Sequence, residues 1–91
     1  MDKKAYQKKL EAQLKEWQAE IDKLKAQAEK KDAEAKMTYQ EKIDKLELKM
    51  KQYKEKIEAL KDVSDDKWED VKKDLEKGAE DLKKQVKDLF S

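Results

Sequence analysis

Residues 10–28 read LEAQLKEWQAEIDKLKAQA, and the placement of their apolar side chains decides the fold. Leu10, Leu14, Trp17, Ile21, Leu24 and Ala28 follow one another at steps of four or three. That alternation puts a single stripe along one side of an α-helix and does not match the period of two of a half-buried strand. Moving outward, the stripe continues to Ala35, with Lys31 taking the intervening position. A second run follows at Tyr39, Ile43, Leu46, Met50, Tyr53, Ile57 and Leu60. Within each run the period is that of a heptad seam, which predicts left-handed supercoiling. Ala35 and Ile43 are eight residues apart instead of seven, so the register slips by one near Met37 to Tyr39.

No helix breaker lies between Lys3 and Lys61, and the least apolar stretch, residues 29–36, is built from strong helix formers. The first reading is therefore one continuous helix over about residues 3–61, on the order of 90 Å long at 1.5 Å per residue. A second reading bends the chain near Lys31–Asp32 and gives three helices of nearly equal length in a single-chain bundle. Both place a turn at about 62–64. Ser64 has the side chain of a good N-cap, and Asp65 and Asp66 follow it where the helix dipole favours negative charge. A last helix over about 65–89 carries Trp68, Val71, Leu75, Ala79, Leu82, Val86 and Leu89 on its apolar side. Gly78 falls in its middle, which costs about 1 kcal/mol relative to Ala unless a close backbone contact compensates.

Composition agrees with a thin-cored helical protein. Of 91 residues, 52% are charged and 36% hydrophobic, whereas roughly 25% charged is usual for globular domains. There is no Pro, no Cys and a single Gly, and Asn, Arg and His are also missing. Without residues that punctuate hairpins, a sheet architecture is excluded. The expected fold class is all-α, a single domain over residues 1–91 in which helices pack as an antiparallel coiled coil or three-helix-like bundle.

Energetics then require partners for each stripe. Ordering a residue costs about 1–2 kcal/mol, while a buried Leu or Ile returns about 1.5–3 kcal/mol. A lone helix with one stripe therefore does not survive in water. The helix–helix interface is expected to comprise Leu10, Leu14, Trp17, Ile21, Leu24, Ile43, Leu46, Met50, Tyr53, Ile57, Leu60, Trp68, Val71, Leu75, Leu82, Val86 and Leu89. With a long first helix, the arrangement satisfying all three stripes is a homo-oligomer, a dimer first of all. Its long helices run antiparallel, and Ala28, Ala33 and Ala35 lie near the crossing.

Chemistry-bearing patterns are sparse. With no His, no Cys, no Gly-rich phosphate loop and no Arg, nothing pairs a nucleophile with its usual base or clamps a phosphate, so no enzyme, cofactor or small-molecule substrate is expected. Ser64 beside Lys61 or Lys67 is better explained by capping. Asp62, Asp65, Asp66, Glu69 and Asp70 crowd one turn, but the spacing of a calcium loop is missing, and no metal site is expected. The formal charge is +1 with the two signs interleaved, which cancels the field that would attract nucleic acid. Trp17, Tyr39, Tyr53 and Trp68 all fall on the stripes and serve packing. The last helix has the pattern of interfacial lipid-binding helices, so contact with a membrane surface is the alternative to docking on the first helix. No run is long and apolar enough to span a membrane, and a cytoplasmic location is the default.

Three segments, Met1-Asp2-Lys3-Lys4-Ala5-Tyr6, Ala19-Glu20-Ile21-Asp22-Lys23-Leu24-Lys25 and Ser64-Asp65-Asp66-Lys67-Trp68-Glu69-Asp70, resemble a family of small bacterial coiled-coil proteins described as stress-response proteins. The resemblance spans nearly the whole chain and implies a cytoplasmic, oligomeric protein with a stress-linked role. It carries no catalytic residues.

Overall fold

The computed structural model describes residues 2–90, Phe90 by its backbone alone. Three α-helices of 26 residues each follow one another: α1 (Lys3–Ala28), α2 (Ala33–Glu58) and α3 (Asp65–Phe90), with a 3-10 turn (Ala59–Asp62) ending α2. They pack side by side into a rod with extents of 52 × 19 × 16 Å. The fold is an all-α helical bundle, with no strand among the described residues.

The single long helix over 3–61 is not what forms. The chain breaks at Glu29–Asp32, the bend near Lys31–Asp32 offered by the second reading. The amides of Lys30 and Lys31 reach back only three residues, to Gln27 O and Ala28 O, both at 3.1 Å, which tightens and closes the last turn of α1. Asp32 then swings to φ −65°, ψ 167°, and its carboxylate accepts the amide of Ala35 at 2.9 Å to start α2. The same device opens α1, where Asp2 accepts the amide of Ala5 at 2.8 Å. Physically, a cap plus two stripes that can face each other within one chain outweigh the unbroken helix, because burial is reached without losing the freedom of a second molecule. The register slip expected near Met37–Tyr39 lies inside uninterrupted α2, and the fold-back comes several residues earlier.

The core is apolar throughout and holds no buried polar or charged residue among the described ones. Ile21, Leu24, Ile43, Ile57 and Leu60 are fully withdrawn from solvent at its centre. Val63 leaves the 3-10 turn in extended conformation, Ser64 takes the place before α3, and the carbonyl of Ser64 accepts the amide of Lys67 at 3.1 Å.

Candidate helix–helix interaction surfaces

The expected interface residues belong to one continuous buried core cluster, apart from Trp68, Val71 and Leu89, which pack against it. Leu10, Leu14, Trp17, Ile21 and Leu24 of α1 meet Ile43, Leu46, Met50, Tyr53 and Ile57 of α2, with Leu60 closing the end. From α3, Leu75, Leu82 and Val86 are buried, while Trp68, Val71 and Leu89 pack at the edge and stay partly exposed. Ala28 is buried, whereas Ala33 and Ala35 are exposed, so the seam assigned to Ala35 is not occupied.

Two packing features were not legible in the stripes. Tyr6, one turn before Leu10, is 4% exposed and meets the Trp68 ring edge-on at 5.5 Å, with the Lys72 ammonium 5.7 Å from the Tyr6 ring centre. Its place four residues ahead of Leu10 was the available signal. The second feature is a notch: the Cδ2–Cε2 edge of the Tyr53 ring presses on Gly78, where a β-carbon would sit 2.8 Å from Tyr53 Cε2. The Tyr53 hydroxyl donates to the carbonyl of Leu75 at 2.7 Å, and its ring tilts against Trp17 at 6.5 Å. Gly78 thus has the close approach that justifies a glycine inside a helix. Burial raises the pKa of the Tyr53 hydroxyl, with a smaller push from Tyr6, and burial followed by the Glu76 carboxylate raises that of Tyr6. At the far end of the rod the Tyr39 hydroxyl donates to the carbonyl of Leu89.

The surface left over is what a partner would meet. Between α1 and α2 runs a groove of about 510 Å³ whose floor is Leu14, Met50 and Ile57. Its rim is striped by charge: Glu11 and Glu58 at one end, Lys15, Lys51 and Lys54 in the middle, Glu47 beyond. Glu47 accepts from Lys25 at 2.9 Å, a bond that raises the Lys25 pKa, and from Gln18 at 3.5 Å. On the outer side of α2, Met37 and Leu48 are 67% and 58% exposed.

Among the described residues no group of three or more His, Cys, Asp or Glu is arranged to hold an ion. No helix of the described residues is long and apolar enough to cross a membrane. No family model, curated protein or solved structure matches the chain.

Proposed function

We propose that this chain is a non-enzymatic helical interaction module that works by homo-oligomeric association through helix faces. The observation that carries the reading is the groove between α1 and α2, an apolar floor bordered by acidic, basic and again acidic side chains. Such a strip accepts one more amphipathic helix of alternating charge, the kind of helix this chain itself is made of. The absence of His, Cys and Arg from the sequence supports a role without bond chemistry. A stress-linked role in a bacterial cytoplasm is drawn from the resemblance of residues 1–6, 19–25 and 64–70 to stress-response coiled-coil proteins, and from nothing else.

Sedimentation equilibrium from micromolar to millimolar protein tests the association. A rising mass is expected, weakened when Lys51→Glu and Lys54→Glu reverse the middle of the rim while helicity stays unchanged. A constant monomer mass across that range would end the homo-oligomer reading. The alternative, a peripheral lipid-binding protein, draws on α3, the most strongly amphipathic of the three helices. Because Leu75, Leu82 and Val86 are covered, α3 would first have to leave the bundle. Co-sedimentation with anionic vesicles separates the two readings.

A further inference from the structure

The turn between α1 and α2 is unusual in holding three strong helix formers, Glu29, Lys30 and Lys31, before the capping Asp32. Residues 29–32 are Glu, Lys, Lys and Asp, with neither Gly nor Pro. Glu29 keeps helical dihedrals, φ −61° and ψ −21°, and no described residue has positive φ. At Asp32 only ψ, at 167°, departs from helical values, since φ is −65°. Rotation about a few backbone bonds would carry α1 straight into α2.

The register of the hairpin does not match its turn. Trp17 lies beside Tyr53, Lys25 beside Glu47 and Lys31 over Tyr39, pairs whose midpoints fall at positions 35, 36 and 35, while the Gln18–Glu47 bond and the Lys36–Glu29 ion pair centre between positions 32 and 33. The turn, however, lies at 29–32. The first turn of α2 is tied to the end of α1 by the Lys36–Glu29 ion pair at 2.7 Å, and otherwise it is bare: from Ala33 to Thr38 every residue is exposed except the partly covered Lys36. In an antiparallel pair of unbroken helices with the same pairing, the two-fold axis would pass near residue 35, and this bare turn would lie against its own copy. Ala33 and Ala35 are small enough for close crossing, and exposed Met37 would gain cover.

The stripes also agree in phase. On an unbroken helix at about 100° per residue, Leu10 through Leu60 all fall within a sector about 100° wide. The eight-residue step from Ala35 to Ile43 is what restores the alignment, cancelling the drift that heptads accumulate on a straight helix.

We propose that two copies of this chain exchange α1: the Glu29–Asp32 turn opens into one helix from Lys3 to Glu58, about 84 Å long, and α1 of each chain occupies its place in the bundle of the other. The contacts of α1 with α2 and α3 are remade between chains, so the core is unchanged and the dimer is isologous. The inference rests on the reading that chains associate, names the partner as a second copy, and places the exchanged contacts in the core, so that the groove between α1 and α2 is re-formed and left open in each bundle.

Two single substitutions push the equilibrium in opposite directions. Asp32→Ala removes the cap that only the closed turn uses. Each cap is worth about fivefold and a dimer loses two, so the dimerisation constant should rise about 30-fold. Ala33→Pro fits the closed form, since position 33 opens α2 and Asp32 already has the extended ψ that precedes proline. Inside an unbroken helix it would lower dimerisation on the order of ten-thousandfold.

Because the chain has no cysteine, Lys25→Cys and Glu47→Cys can be placed on separate chains. After co-refolding at millimolar concentration, a short bismaleimide should join the two kinds of chain, and in the Ala33→Pro background it should not. A dimer that ignores Ala33→Pro and gives no such crosslink would overturn the exchange while leaving association intact. A monomer in every variant, Asp32→Ala included, would overturn both.

Discussion

Replacing Gly78 by Ala sets two effects of known sign against each other. In an exposed helix interior the change is worth about 1 kcal/mol in favour of Ala. Here the added β-carbon would lie 2.8 Å from Tyr53 Cε2 and 3.1 Å from Cδ2, where ordinary contact begins at 3.4 Å. The ring would have to retreat by about 0.6 Å, about the scale of a tightly packed interior's slack. It is poorly placed to do so: it is 5% exposed, Trp17 stands beside it, and its hydroxyl is tied to Leu75 on the same helix as Gly78. Overpacking of this kind costs about 1–3 kcal/mol. The expected net result is a loss of about 1 kcal/mol, or a melting temperature lower by roughly 4–8 °C for a domain of this size. Urea unfolding followed by circular dichroism measures it, with the same substitution repeated in a Tyr53→Leu background. There the clash is gone and Ala should stabilise by its full propensity, giving a coupling of about 2 kcal/mol between the two positions. If Gly78→Ala raised the midpoint of the otherwise unchanged chain, or the coupling vanished, the notch would have no energetic meaning.

Other expectations follow from the same packing. Trp68→Ala should cost about 2–3 kcal/mol, below the value for a fully buried Trp because the indole stays partly exposed, with up to about 1 kcal/mol of it from the edge contact to Tyr6; thermal melts of the single and Tyr6→Leu double variants apportion it. Ile21→Ala, at a site with no exposure, should cost about 3–4 kcal/mol, read as a lower urea midpoint with an unchanged slope. Tyr53 and Tyr6 hold their protons more tightly when folded. Their contribution is therefore fully present below the ordinary tyrosine pKa near 10 and is lost as pH rises beyond it. Alkaline melts should fall steeply there, less so for Tyr53→Phe, and a phenolate absorbance titration in which Tyr6 and Tyr53 ionise with midpoints at the ordinary value near 10 would contradict the burial of both rings.

Much of the architecture is written in spacing alone. The seam from Leu10 to Leu24, the seam from Ile43 to Leu60 and the buried positions Leu75, Leu82 and Val86 all follow from period and from the need to hide an apolar stripe, and each is where that argument places it. The fold-back was harder to read because its signal is one carboxylate. Asp32 stands among strong helix formers, and only the choice between a capped turn and two more turns of helix distinguishes a compact single chain from a long rod. Propensities weigh residues one at a time and do not see that the two stripes can meet within the chain. Tyr6 escaped for a related reason, since it precedes the run that announces α1. The groove between α1 and α2 could not be read at all, because its charged rim is assembled from residues far apart in sequence and becomes one strip only when the helices lie side by side.

Short links join consecutive helices throughout this bundle, four residues between α1 and α2 and a brief 3-10 turn before α3. Chains dominated by such local meetings fold within microseconds to milliseconds. Diffusive encounters between dilute molecules, at typical docking rate constants of about 10⁵–10⁷ per molar per second, are much slower than that at micromolar concentration. A newly made polypeptide would close on itself long before it met a sibling, so its state of assembly would record the history of its refolding, above all how crowded the chains were when they last unfolded.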